Sequence, residues 1–411
     1  MEKTKKGWKT NTVIIFICWL VYACSYLGKV NYSANIPQIE AFFKVSHANA
    51  GLVSTFFFFA YAAGQIFNGI FCKRYNLKWT IFGAVITSAT MNALIGLTKS
   101  FTMIKYLWLI NGLALSVLWP SLIRFLSESL PKKDMAQASI VMGTTVATGT
   151  LGIYGLSALF AALKFSFKFA FFTPAIIMPL TAIVWVFRFD KMTASRETDE
   201  EECVVENVAQ PAKSNKMPKE IFIVCCILAF VAVATNLIKD GLTTWVPSIL
   251  KERYGLSASF SILLTLALPT IAVFGNVFAV QLHKKIPDFV SMLGLIFLLA
   301  GVFTAIVIAL LGSNAFAVTL IGFALVNYLA SSSNSVITSI FPLFMKGKVN
   351  SGLIAGILNG FCYLGSTMSS YGLGLIADIW NWNVVFYVIL GACVSVVIVA
   401  LIYTLLKKKE K

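Results

Sequence analysis

Long apolar runs separated by short polar turns recur along the whole chain. A run of about 20 apolar residues crosses the hydrocarbon core of a bilayer as a helix. Twelve such spans are read here, at roughly 12–40, 50–71, 79–97, 104–127, 137–163, 167–187, 220–249, 258–282, 289–311, 315–343, 350–376 and 381–406. The even number places both termini on one side. Polar positions inside the runs follow helical spacing. Span one carries Tyr22, Tyr26, Lys29 and Ser33 on one stripe, and span seven repeats it with Asn236, Lys239 and Thr243. A lysine at the centre of a membrane helix costs roughly 2.5–3.5 kcal/mol, so two retained at matching places point to a functional site. Snorkelling to the headgroups is the plainer reading. More than a turn of apolar chain on both sides of each lysine argues against it.

Other spans carry neutral stripes at the same spacing: Tyr61, Gln65 and Asn68 on span two, Thr144, Thr145 and Thr148 on span five, and Asn359, Tyr363, Ser366 and Ser370 on span eleven. Polar groups in lipid must face protein or water. For these stripes, hydrogen bonding between helices is as good a reading as cavity lining. Asp240 is the acid placed well inside a span and is the coupling candidate. Neighbours on a helix point about 100° apart, so Asp240 is expected to turn to another helix and leave Lys239 without a counter-ion.

The chain also repeats itself at a constant offset: Tyr26 pairs with Asn236, Lys29 with Lys239, Ser33 with Thr243 and Pro37 with Pro247. The turn Lys73-Arg74 likewise pairs with His283-Lys284. Between the copies lies 188–219, with Glu197, Asp199, Glu200, Glu201, Glu202, Glu206, Pro211 and Pro218, which reads as a solvated linker. The expected organisation is an N-terminal six-helix half (1–187), a cytoplasmic linker (188–219) and a C-terminal six-helix half (220–411). Small-residue steps at Gly352, Gly356 and Gly360, and at Gly143, Ala147, Gly149, Gly152 and Gly155, mark expected close helix contacts. Pro37, Pro120, Pro247 and Pro269 mark expected kinks.

Composition agrees with a membrane chain: 58% of the 411 residues are hydrophobic and 12% charged, and the mean hydropathy is +0.82. A formal net charge of +16 could suggest nucleic acid. Its placement argues for topology instead, because most loop lysines and arginines fall on the side that holds both termini. By the positive-inside rule that side is cytoplasmic, and the expectation is a multi-pass cell-membrane protein with no nucleic-acid partner. The eight cysteines have no framework or metal spacing. The two histidines, His47 and His283, lie in loops, and no glycine-rich phosphate loop with a Lys-Ser/Thr signature is present. No enzyme, cofactor or metal is expected.

Several motifs carry a family resemblance: Tyr26-Leu27-Gly28-Lys29-Val30-Asn31, Trp119-Pro120 with Arg124, Ile238-Lys239-Asp240-Gly241 through Trp245 and Pro247, and Ala355-Gly356, Tyr363-Leu364-Gly365, Gly374 and Asp378. As a set, over most of the chain, they resemble the organophosphate:phosphate antiporters of the major facilitator superfamily. The resemblance implies an all-α polytopic fold of twelve transmembrane helices in two six-helix pseudo-symmetric halves, with a mid-membrane site between them. It also implies that two arginines grip the substrate phosphate, helped by a lysine and a histidine. Here those positions hold Lys29, Lys239, Gln65 and Thr145. Guanidinium forks onto phosphate, whereas ammonium is a point charge, so the change bears on substrate class. The run from Lys29 to Pro37 is also similar to the anion:cation symporters, which carry sugar acids and other carboxylates.

The expected function is secondary transport of a small organic anion, phosphate ester or carboxylate, by a monomer in the lipid bilayer, as antiporter or symporter. Candidate substrate-binding residues are Lys29, Lys239, Tyr26, Asn31, Tyr61, Gln65, Trp119, Thr145, Asn236, Asn359 and Tyr363. Two rivals stand beside it: a transporter-like sensor of an organic anion, and a proton-coupled exporter of amphipathic compounds, which the scarcity of carboxylates in the spans disfavours.

Overall fold

The computed structural model of the chain describes residues 2–71, 74–194, 218–313, 315–345 and 351–409. Lys73, residues 195–217 of the expected linker, Lys346, Lys348 and Lys411 lie outside the described residues. Within them the regular structure is helical: α1 (Glu2–Leu27), α2 (Asn31–Ala34), α3 (Ile36–Phe43), α4 (His47–Phe71), α5 (Leu77–Leu97), α6 (Phe101–Leu115), α7 (Leu118–Ser129), α8 (Lys132–Gly143), α9 (Thr145–Ala162), α10 (Phe169–Ala194), α11 (Lys219–Tyr254), α12 (Ala258–Thr265), α13 (Ala267–Ala272), α14 (Gly275–Lys285), α15 (Phe289–Leu310), α16 (Phe316–Ser335), α17 (Phe341–Phe344), α18 (Ser351–Ile379) and α19 (Trp382–Lys409), with a π turn at Val336–Ile340 after α16. Nine stretches of the described residues are long and apolar enough to cross a membrane: Leu77–Leu97, Phe101–Ser129, Ile140–Ala162, Phe169–Thr193, Lys219–Tyr254, Ala258–Lys285, Phe289–Leu310, Phe316–Ile340 and Trp382–Lys408. The shorter apolar Asn11–Leu27, together with α4 and α18, stands where spans one, two and eleven are expected.

Several expected single helices are broken, and proline explains three of the breaks. Proline lacks an N–H and crowds the preceding turn. Accordingly the chain interrupts its helix at Asn35 ahead of Pro37, at Ser116–Val117 ahead of Pro120, and at Leu266 ahead of Pro269. Pro247 sits inside an unbroken α11, as Pro174 and Pro179 do inside α10. Span one has a further break at Gly28–Val30, so the helical spacing expected to link Ser33 to Lys29 does not run through.

By its contacts the chain divides into two units, Met1–Asn35 with Phe59–Asn207, and Ile36–Phe58 with Val208–Lys411. In the first unit α1 packs on α9 and α10, and α5 packs on α10 and α6. Trp108, Trp185, Tyr154 and Phe171 are fully buried there. In the second unit α11 packs chiefly on α18 and also on α16 and α3, while α15 packs on α16 and α19.

The expected glycine contacts are only partly realised. A Cβ on Gly149 would stand 2.3 Å from the Ala23 carbonyl and 2.5 Å from the Tyr26 Cβ, so this is a true close crossing of α9 on α1. At Gly143, Gly155, Gly356 and Gly360 it would meet nothing within 4 Å. On α18 the close approach falls instead at Gly365, against the Val233 carbonyl at 2.2 Å. A glycine stripe marks where a helix could be approached; only the face turned to a neighbour uses it.

Candidate functional site

The first candidate lysine stands at the break in span one. The turn formed by Gly28, Lys29 and Val30 frees backbone groups that lipid cannot satisfy. Three buried side chains of the first unit answer that need. Asn111 Nδ2 donates to the Gly28 carbonyl at 2.8 Å and Asn92 Nδ2 at 3.3 Å. Ser88 donates to Asn111 Oδ1 at 2.6 Å, which orients the amide. A Cβ on Gly28 would lie 2.9 Å from both Asn92 Nδ2 and Met178 Sδ, so the tight approach requires glycine. Lys29 thus follows the C-terminal end of α1, where the helix dipole favours a cation.

Its ammonium rests on aromatic faces, 4.1 Å from the Tyr61 centroid and 4.9 Å from that of Tyr26. Such contacts contribute about 0.5–2 kcal/mol each, more when desolvated. The aromatic train continues from Tyr26 to Tyr22 at 5.5 Å and from Tyr22 to Trp119 at 4.8 Å. No carboxylate pairs with Lys29 among the described residues. Gln65, one turn beyond Tyr61, donates at 3.1 Å to the Ser116 carbonyl freed by the α6–α7 break. Asn31 and Thr145 are fully enclosed. Asn31 bonds Asn92 at 2.8 Å and the Ala170 carbonyl at 3.1 Å, and Thr145 bonds the Met142 carbonyl, so both spend polar atoms on the fold.

The second lysine lies within α11 of the second unit. Here the expectation of an uncompensated charge is overturned: Lys239 Nζ is 3.4 Å from Asp240 Oδ1. Asp240 does turn to a neighbouring helix, its Oδ2 accepting a hydrogen bond from Ser366 on α18. The 100° divergence holds at Cβ, but the four-carbon stem of lysine reaches round to the other oxygen. Asn236, one turn earlier, donates to Ser366 Oγ at 3.3 Å. Its Oδ1 is buried with no hydrogen-bond partner among the described residues. Tyr363 is half-buried on α18 with Phe58 at 6.5 Å, and Asn359 is half-buried one turn before it.

Lys29, Tyr26, Tyr61, Tyr22 and Trp119 are therefore gathered in one unit, and Lys239, Asp240, Asn236 and Ser366 in the other. The supporting amides Asn92 and Asn111 were not singled out from sequence. Their signal was visible, since an asparagine inside an apolar run needs a partner. A hollow of about 760 Å³ in the first unit, bordered by Phe67, Trp79, Ile110 and Leu113, has Tyr75 as the sole ionisable side chain of its lining and offers an anion no charge.

A polytopic helical membrane protein with cations placed in its spans is the build of a transporter, and comparison with known proteins gives the family. The model of the Major Facilitator Superfamily matches residues 18–370, so the chain belongs to that superfamily. Among its relatives, the hexuronate transporter of Bacillus subtilis (strain 168) is 25% identical, over 85% of this chain and 81% of its own. A probable hexose phosphate transport protein of Chlamydia muridarum is 20% identical, over 96% of this chain and 90% of its own. The crystal structure of a bacterial homologue of the human lysosomal transporter Spinster, in an inward-facing and occupied conformation, shares the fold with a TM-score of 0.71 at 15% identity, covering 97% of both chains.

Proposed function

We propose that this chain is a secondary transporter of small organic anions in the cell membrane, both termini cytoplasmic, and that its preferred substrate is a monoanionic carboxylate of the sugar-acid kind. The anion is held by Lys29 and Lys239, one from each half, and crosses by alternating access as the halves 1–187 and 220–411 rock around it. The observation that carries the reading is the count of charge. Lys29 rests on tyrosine rings while Lys239 is offset by Asp240. Counted together in the proposed site, the three groups leave one positive charge for the substrate. A phosphate ester carries about 1.5 to 2 negative charges at neutral pH and is best held by guanidinium forks. A carboxylate carries one and suits an ammonium. Similarity to a hexuronate transporter over most of both chains supports the same class.

A phosphate ester is the second reading, favoured by likeness to the hexose phosphate protein over 96% of this chain. It requires Asp240 to be neutralised or drawn away when the substrate binds. Uptake of radiolabelled glucuronate and glucose 6-phosphate into proteoliposomes, beside a thermal-shift series with the same compounds, separates the readings. A ligand at a hundred times its dissociation constant stabilises by about 2.7 kcal/mol, which such a series resolves. Glucuronate uptake that is lost in Lys29→Ala and Lys239→Ala is expected. Stabilisation by an anion that the vesicles never accumulate would make the protein a sensor.

A further inference from the structure

The corner that joins the first two spans belongs by its contacts to the second unit. His47 opens α4 there, and both of its ring nitrogens face carboxylates. Nδ1 is 2.8 Å from Glu40 Oε1 on α3, and Nε2 is 3.2 Å from Glu252 Oε1 on α11. A neutral imidazole has one N–H and would set its lone pair against one of these oxygens; only imidazolium donates to both. The backbone of the corner is held as well. Asp378 on α18 accepts from the His47 N–H at 2.9 Å and the Ala48 N–H at 2.6 Å, satisfying the orphan donors that begin α4. Lys251 donates to the Pro37 carbonyl at 3.3 Å, and Trp382 on α19 donates to Glu252 Oε2 at 2.8 Å. Glycines allow the approach: a Cβ on Gly51 would lie 1.9 Å from the Ser370 carbonyl, and one on Gly374 would lie 2.8 Å from the His47 carbonyl. Trp245, Gly374 and Asp378, known from sequence only through a family likeness, all meet at this corner.

We propose that His47 is a proton-binding site that couples pH to movement of this corner: one proton on the imidazole holds 36–58 against α11 and α18, and it is released to water when the corner undocks. Around the ring stand Glu40 on α3, Glu252 and Lys251 on α11 and Asp378 on α18, so docking brings Glu252, Asp378 and Lys251 to a corner that already holds Glu40 and His47. Burial opposes the imidazolium, but the hydrogen bonds to Glu252 and Glu40, and their charges, outweigh it and push its pKa from 6.5 up to about 10. Undocking parts the ring from Glu252 while Glu40, on the same corner, moves with it; with the hydrogen bond and charge of Glu252 lost and water admitted, the proton is held less tightly and is released more readily as pH rises. The undocking step rests on the alternating-access reading above; the titration of the resting protein does not. The ligand atoms of Glu40, His47 and Glu252 lie within 4.8 Å of one another, a spacing that a metal ion could also use.

His47 and His283 are the two histidines of the chain, so His283→Gln leaves one imidazole to watch. The test is a ¹⁵N-imidazole NMR titration of that variant, purified without a histidine tag, in lipid nanodiscs from about pH 5 to pH 10.5. The expected midpoint lies above about pH 8.5, two units over a free histidine. Glu252→Gln, with Glu40→Gln as a second route if that variant does not fold, is expected to lower the midpoint by at least about one unit, as loss of a hydrogen-bonded charge does. Asp378→Ala, which loosens the corner without touching the ring, is expected to lower it too. A midpoint near 6.5 in the parent, or one that neither carboxylate change moves, overturns the proposal while leaving anion transport standing. A midpoint lowered by micromolar zinc and restored by chelator overturns it in favour of a metal.

Discussion

Replacing Asn111 by alanine removes the side chain that the break in span one depends on most directly. Asn111 is fully buried, donates to the Gly28 carbonyl at 2.8 Å and accepts from Ser88 at 2.6 Å. In the variant the carbonyl keeps only the longer bond from Asn92 at 3.3 Å, and the Ser88 hydroxyl keeps only the Met178 sulfur at 3.8 Å. Leaving a buried polar group without its partner costs about 1–3 kcal/mol, and no water replaces the amide in the hydrocarbon core. A loss of about 2 kcal/mol is expected, alongside weaker anion binding, because the turn that presents Lys29 loses its tie. Thermal unfolding followed by tryptophan fluorescence, with and without glucuronate, reads both effects. Asn111→Asp is the informative companion: a carboxylate still accepts from Ser88 but cannot donate to the carbonyl. If Asn111→Ala unfolds at the wild-type temperature and binds anion equally well, the break is held by something other than these amides.

The His47 corner gives a stability prediction with a definite sign. Because folding raises this pKa from 6.5 to about 10, its contribution is fully present below pH 6.5, shrinks as pH rises and is gone above about pH 10; thermal stability of the wild type should fall over that window, and His47→Gln should flatten the fall. Gly149→Val drives a side chain into the Ala23 carbonyl and the Tyr26 Cβ, so it is expected to destabilise by about 1–3 kcal/mol or more. Gly356→Ala and Gly360→Ala, which meet open space, should stay within about 0.5 kcal/mol of wild type in the same unfolding assay. Equal damage from all three glycine changes would mean that the packing described for α9 and α18 is wrong.

The helical fold was legible because membrane spans announce themselves by length and apolarity, and the lysines because charge in lipid is rare. What the sequence concealed follows from the limits of regular spacing. The stripe from Tyr22 to Lys29 assumes an unbroken helix, and nothing in a periodicity count registers the turn at Gly28–Val30, whose support comes from Asn92 and Asn111 on distant spans. Helical geometry turned Asp240 toward a neighbouring helix, and the structure shows that helix to be α18. That geometry could not show that the flexible arm of Lys239 folds back to the same carboxylate. His47 reads as a loop residue because Glu40 meets it across the turn between α3 and α4, which periodicity does not register, and Glu252 becomes its neighbour only through the packing of α3 on α11.

The functional proposal counts a net single charge from Lys29, Lys239 and Asp240, and Asp240→Asn tests it by adding one positive charge with little change of shape. The measurement is competition by glucuronate and by glucose 6-phosphate for radiolabelled uptake into proteoliposomes, in wild type and Asp240→Asn side by side. The account predicts that the wild type prefers the monoanion and that the variant shifts toward the phosphate ester by about tenfold or more, since about 1.4 kcal/mol of differential interaction is a factor of ten. An unchanged preference in a variant that still transports would contradict it, and would mean that the charge of Asp240 takes no part in choosing the anion.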